Sequence, residues 1–382
     1  MPQTANQWVE KAKSLGQDVL QKHADDVDQK ARWPSESLAA LRQAGFLGLT
    51  VAADFGGAGE GPGTFTRVLR ALAQGCASTG MIYLMHICAT QVISSAESLS
   101  EKADILRDIV AGKHLSTLAF SEKGSRSHFW APVSQAQRNG SDVILSAEKS
   151  WVTSADEADS YIVSTRTANA EDPASTSLYL VGKQTAGVSV SGAWNGIGLR
   201  GNASAPMRLE NVKVSDDNAV CADGEGFNTM MQVVMPWFQL GNASVSVGVA
   251  RAATEATKKH LTASKFQHLG QSLASLMNLR ARLAQMQILT DTHEAFLEHV
   301  AAELENPGPN TMLAVLESKA TAAEAVLTVT DLGMRTCGGA SFSKHLSLDR
   351  HFRDARAGSI MAPTTDVLYD FIGKSLLDMP LF

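Results

Sequence analysis

Several common classes of protein are excluded by what this chain lacks. Its four cysteines, Cys76, Cys88, Cys221 and Cys337, are scattered through 382 residues without Cys-x-x-Cys or Cys/His spacing. That pattern argues against a disulfide framework and against a structural metal, and no metal site is expected. No apolar run approaches the roughly 20 residues of a membrane helix. Positive charge is also short: 33 Lys and Arg face 39 Asp and Glu, a net charge of −6. Nucleic acid is therefore not an expected partner, because backbone phosphates require a basic footprint. The glycine-rich stretch FGGAGEGPGTF (Phe55 to Phe65) lacks the GxxxxGK[ST] of a P-loop, so its glycines are assigned to turns. The N-terminus, MPQTANQWVEKAKSLGQ, is polar and helical, with no basic region leading into an apolar one. A secretory signal is not expected, and a cytoplasmic location is.

The composition, 44% hydrophobic and 19% charged, is that of a well-packed chain, and its length suggests two or three domains. Residues 1–114 read as helical. WVEKAKSLGQDVLQKHADDVDQKARW carries helical periodicity, Trp33-Pro34-Ser35 reads as a helix start, and Gly45 as a helix end. The segment from Thr66 to Ala96 is apolar and rich in small residues, as a buried helix pair would be. His86 lies within it, and a lone histidine on an apolar helix reads first as a core residue. Residues 115–222 change to short runs with period-two alternation, a strand-rich domain. Residues 223–382 return to long amphipathic helices broken at Asn306-Pro307-Gly308-Pro309, a bundle of about four. The fold class expected is α+β, mostly α, in the order helices, β domain, helical bundle.

That order and its motifs resemble the acyl-CoA dehydrogenase superfamily of flavoproteins. WPSESLAALRQAGFLGLTVAADFGGAG is similar to the family's N-terminal helix and Gly-Gly loop. LAFSEKGSRSHFWAPVS resembles its TEPGAGSD loop, with Ser127-His128 where Ser-Asp would stand. EKSWVTSADEADSYIVSTR resembles the strand carrying the Trp-Ile-Thr flavin motif, and GIGLRGNASAPMRLENVKV the GLRGTGS stretch. CGGASF and FRDAR complete the set. The resemblance implies a flavin, FAD or FMN, with Trp151 packed on its ring and Thr153 bonding near N5. Alternation along one strand would place those two on a common face. It further implies Phe120, Ser121 and Ser127 along the ring and ribityl side, with Thr364 also at the cofactor. Gly338 and Gly339 would approach the dinucleotide end from a neighbouring subunit, hence a homodimer or homotetramer.

Three departures bear on the chemistry. The family's base is the Glu of a YEGT-like string after FRDAR, and here that string is Met361-Ala362-Pro363-Thr364, with Ala362 at the glutamate. Its other location falls near Trp237-Phe238, again without a carboxylate, and a methyl group takes no proton. Asp366 and Asp370 read as solvated acids of the following helix. Phe266, in FQHLG, stands where the family places an arginine on the flavin pyrophosphate, and Arg335 is the candidate to restore that charge. Phe129-Trp130 adds bulky aromatics where a pantetheine chain would run.

The branch of the superfamily that shares such losses is the reduced-flavin monooxygenases. The first reading is therefore a two-component monooxygenase that takes reduced flavin from a partner reductase. It would act with oxygen on a heteroaromatic, sulfur or amine substrate, with His128 or His86 handling protons. The alternative is an acyl-CoA dehydrogenase, or a redox-neutral lyase or desulfinase, with a displaced base and an electron-transfer partner. A flavin-free structural pseudoenzyme is the third reading.

Overall fold

The computed structural model describes residues 3–126, 128–172, 174–268 and 270–382. The N-terminal part folds as α1 (Ala5–Leu15), one π-turn, α2 (Gln21–Lys30), α3 (Ser35–Gln43), α4 (Pro62–Gly75), α5 (Ala77–Ser95) and α6 (Lys102–Val110). Thr4 opens α1 with a capping box: its hydroxyl accepts from Gln7 N–H while the Gln7 side chain accepts from Thr4 N–H. Pro62 starts α4, where a missing N–H costs nothing. α5 is buried on almost every side and threads the larger core, as its apolar, small-residue sequence predicts.

The middle of the chain forms β1 (Ser116–Ala119), β2 (Gln137–Asn139), β3 (Asp142–Val152), β4 (Ser160–Arg166), β5 (Thr176–Gly182), β6 (Val188–Val190) and β7 (Ala205–Ser215). One sheet has the order β1-β4-β5, with β1 parallel to β4; the other, β2-β3-β7-β6, is antiparallel. β4 is buried along nearly its whole length, whereas β7 alternates because its outer face is wet. Val143, Tyr161, Val163, Met207 and Leu209 fill the space between the sheets.

The chain then forms α7 (Gly226–Thr229), α8 (Met235–Ala263), a small hairpin of β8 (Lys265–Phe266) and β9 (Gln271–Ser272), α9 (Met277–Glu305) and α10 (Thr311–Cys337). Short helices α11 (Gly339–Phe342), α12 (Leu348–Asp354) and α13 (Arg356–Ile360) lead to α14 (Thr365–Leu376). The Asn306–Pro309 break separates α9 from α10. Helices α8, α9 and α10 pack on one another and α14 lies along α10. The mostly helical α+β fold expected from the sequence is the one observed. Among the described residues, no helix is long and apolar enough to cross a membrane.

One junction ties the three parts together. Arg353 on α12 holds the carboxylate of Asp28 on α2 with two N–H groups, and bonds Asp349 at 3.0 Å and the Ile197 carbonyl at 3.0 Å. Asp354 accepts the Leu199 N–H at 2.7 Å, and Arg200 donates to the Asp28 carbonyl at 2.7 Å. Gly198 passes so close that a Cβ there would sit 2.5 Å from the Arg353 carbonyl oxygen. Burial raises the Asp354 carboxyl to about 6 despite the neighbouring Arg350.

A second buried ionic contact lies inside the β domain. Lys149, fully buried on β3, donates to Glu122 Oε1 at 2.7 Å and to the Ser164 carbonyl at 2.6 Å. The other Glu122 oxygen accepts the N–H groups of Val133 and Ser134, both at 2.7 Å, which closes the loop from residue 122 to 134. Burial works against the Glu122 charge, but Lys149 and these donors outweigh it and hold the carboxyl below its usual range. Replacing Lys149 by Met keeps the stem and leaves the carboxylate without its counter-charge. A stability loss of about 3–5 kcal/mol is expected in urea unfolding, with part recovered by adding Glu122→Gln. A loss below about 1 kcal/mol would show that the pair contributes little.

Candidate functional site

A cavity of about 450 Å³ opens where the three parts meet. Its walls come from all three parts. The N-terminal part gives Met85 on α5. Phe120, Ser121, Arg126 and Phe129 lie on the loop after β1, Ser150, Trp151 and Thr153 at the end of β3, and a further stretch runs from Trp194 to Ser204. The C-terminal part gives Phe238 on α8, then Arg353, Arg356 and the segment Ile360–Ala362. The Arg353 junction forms part of this wall, so the contact that joins the domains also shapes the cavity.

Trp151 is aimed by a defect in the strand. The β3–β7 register shifts between Lys149 and Val152, and Trp151 sits in that bulge with φ 53° and 65% of its surface exposed. Thr153 follows in the turn beyond the strand. The expectation that simple alternation pairs the two residues is corrected: a bulge turns Trp151 out, and both still reach the cavity. Arg126 and Leu199 are also held at positive φ, 49° and 47°. Non-glycine residues in this region cost about 1–3 kcal/mol each and persist where surrounding structure imposes them. Thr153 Oγ1 lies 3.0 Å from Ser204 Oγ. The amide nitrogen of Asn202, a residue 1% exposed, is buried on this wall without a hydrogen-bond partner among the described residues.

The wall opposite in sequence carries Ala362. Lys319, fully buried on α10, donates to the carbonyls of Met361, at 2.8 Å, and Pro363, and so fixes the backbone on both sides of residue 362. Asn242 Nδ2 contacts the Met361 sulfur at 3.3 Å. Among the described residues no Asp or Glu lines the cavity. Asp366 and Asp370 are exposed on α14, and Asp370 pairs with Lys374 at 3.1 Å. Trp237 packs on Phe65, with ring centres 5.2 Å apart.

Of the sequence candidates, Phe120, Ser121, Trp151, Thr153 and Ala362 are brought together here. His86 is not. It is fully buried, its Nδ1 accepts the Ser116 N–H at 3.2 Å, and its Nε2–H donates to the Leu47 carbonyl at 3.2 Å. With both nitrogens engaged and burial lowering its pKa to about 4, it is a neutral tie between α5 and β1, not a proton donor to the cavity. His128 is exposed beside the edge of Trp130, 5.1 Å between ring centres, and is not on the cavity wall. Ser127 lies outside the described residues. Arg335 is exposed and faces Asp331 at 3.7 Å on its own helix, away from the cavity. Gly338 and Gly339 occupy an exposed turn with open space around them. Thr364 caps α14, accepting the Val367 N–H at 3.4 Å. Of the two aromatics, Phe129 lines the cavity, whereas Trp130 packs against Phe371 and Phe382.

Arg126, Asn202 and Lys319 were not among the candidates, and Arg356 was marked only as part of the FRDAR string. Arg126 left a signal too, since it replaces a glycine of the TEPGAGSD pattern. Asn202 and Lys319 are placed by tertiary packing.

Comparison with known proteins covers nearly all of the chain. Family models for the acyl-CoA dehydrogenase N-terminal, middle and C-terminal domains match residues 2–113, 117–212 and 224–377. The mitochondrial short-chain specific acyl-CoA dehydrogenase of Bos taurus is 25% identical over 96% of this chain and 88% of its own length. Butyryl-CoA dehydrogenase from Megasphaera elsdenii superposes with a TM-score of 0.92 at 20% identity, covering 98% of each chain. An FAD complex of PigA superposes with 0.90 at 20% identity, again over 98% of each chain.

The buried lysine behind Ala362 gives a pH test. Burial lowers Lys319 to about 7, against 10.5 for an ordinary lysine. Between those values the unfolded chain binds a proton that the folded one does not, so the group's contribution to stability grows as pH rises and is lost as pH falls toward 7. The Tm of the parent relative to Lys319→Met should therefore rise from pH 7 to pH 10. A difference that does not change with pH would rule out burial of an uncharged amine.

Proposed function

The chain belongs to the acyl-CoA dehydrogenase superfamily of flavoproteins, and on that premise we propose that it is a flavin-dependent oxidoreductase whose flavin and small organic substrate share the cavity between Trp151 and Ala362. The residues present suit a flavin. Trp151 offers an aromatic face in a position imposed by the backbone, Ser121 and Thr153 offer hydroxyls, and Asn202 offers a buried donor with no other use. The flavin supplies two-electron chemistry when bound. The chain's own residues bind and orient: Trp151 stacks, Thr153 and Asn202 offer hydrogen bonds to ring heteroatoms, and the Lys319-fixed segment sets the width left for substrate.

The relatives that are named dehydrogenases favour oxidation of an acyl thioester. In that reading the α-proton leaves to a group other than residue 362, because alanine has no basic atom there. A second reading is a monooxygenase fed by a separate reductase, and the wall without a carboxylate is what favours it.

The observation that carries the oxidoreductase reading is the exposed Trp151 held at positive φ on a wall with an unpartnered amide. Its test is flavin binding: Trp151→Ala should weaken FAD or FMN about tenfold, given roughly 0.5–1.5 kcal/mol for a stacked aromatic pair beyond area burial. An unchanged dissociation constant would remove Trp151 from the cofactor site. A second experiment separates the two chemistries. Anaerobic mixing of the oxidised protein with acyl-CoA thioesters of increasing length should bleach the flavin band, and Ala362→Glu should accelerate bleaching. If neither protein bleaches, and reduced flavin on the protein reoxidises more slowly than free flavin, the monooxygenase reading stands in its place.

A further inference from the structure

Arginine pairing in this chain follows a rule with two exceptions. Every other arginine gives its guanidinium to a carboxylate or a backbone carbonyl among the described residues. Arg126 and Arg356 do neither, and both line the same cavity. They arrive from distant parts of the chain, Arg126 on the loop closed by Glu122 and Arg356 at the start of α13. The sole recorded contact of the Arg356 guanidinium is the face of Phe352, 4.5 Å from the ring centre, which leaves its in-plane N–H groups free. Arg353, the third arginine on the wall, is committed to Asp28 and Asp349. Among the described residues no Asp or Glu lines the cavity, and none pairs with either of these two positive charges.

Arg126 is exposed and Arg356 half-buried, so both guanidinium groups are accessible to a ligand that enters the cavity. The planar fork of a guanidinium matches two oxygens of a carboxylate or phosphate better than any neutral group. We propose that Arg126 and Arg356 form an anion-recognition site, taking the carboxylate, sulfinate or phosphate oxygens of the ligand that lies against Trp151. Arg126 also holds φ 49°, in a region favoured by glycine, so the loop carries an arginine where the family's pattern has glycine. The anionic group has two possible sources, the phosphate of the cofactor or an acid group on the substrate. The cofactor source rests on the flavin reading above, and the substrate source does not.

The test compares the parent with Arg126→Gln and Arg356→Gln, and with the charge-retaining Arg126→Lys and Arg356→Lys, all of the full chain. One arm measures dissociation constants of FAD, FMN and riboflavin by quenching of flavin fluorescence. The other follows tryptophan emission on titration with benzoate against benzamide, phenylacetate against phenylacetamide, and succinyl-CoA against butyryl-CoA. The expected result is a preference of about tenfold or more for the anionic member in one arm, consistent with a hydrogen bond to a charged group. That preference should fall to within twofold in a Gln variant and be partly kept in the matching Lys variant. Preference for FAD and FMN over riboflavin assigns the anion to the cofactor, and preference for acids over neutral partners assigns it to the substrate. The proposal is overturned if the parent shows no preference in either arm, or if both Gln variants keep it. If none of the three flavins binds the parent, the flavin reading fails by itself, and the tryptophan arm still decides the anion site.

Discussion

Arg353 and its neighbour Asp354 are the contact on which the rest of the architecture depends. Their two side chains reach α2 of the helical N-terminal part and the 197–199 loop of the β domain from a single turn of the C-terminal part. The larger apolar core also runs through this point, with Ala24, Leu199, Leu348 and Ala355 among its members. Charge-assisted hydrogen bonds add to it a contact that is strict in direction. A bidentate grip on Asp28 and a carbonyl contact to Ile197 leave α12 little freedom to slide. The cavity follows from that restriction, because the same turn that grips the other parts is one of its walls.

The architecture was legible in the sequence because each segment's period matched its element. The apolar, small-residue composition of α5 predicted a helix buried all round, and the Asn306–Pro309 break fell between α9 and α10. One wall of the cavity was legible through motif strings at Phe120–Ser121 and Trp151–Thr153. Its mechanism was not: alternation along β3 suggested a shared face, whereas a bulge does the turning. Bulges are set by the partner strand β7, which a reading of β3 by itself does not contain.

The misassigned residues fail for similar physical reasons. His86 was drawn into the catalytic set by its chemistry, yet two backbone partners claim its nitrogens, and those partners come from residues 47 and 116. Arg335 lies exposed on α10, away from this chain's own cavity, where helical phase and packing put it. Lys319 and Asn202 gave no signal in advance, since a lysine in a helix and an asparagine in a loop are ordinary until burial removes their water. Burial by distant segments is the information a linear pattern lacks.

The bonds from Lys319 to the carbonyls beside Ala362 have a wider consequence. They hold the turn by its backbone and ignore the side chain between them. The path of the turn is thereby set by the backbone, while the Ala362 methyl packs partly against the larger core and partly faces the cavity. What holds the chain in place here is largely distinct from what the cavity meets. A different side chain at this position would then act on the space of the cavity more than on the course of the chain around it.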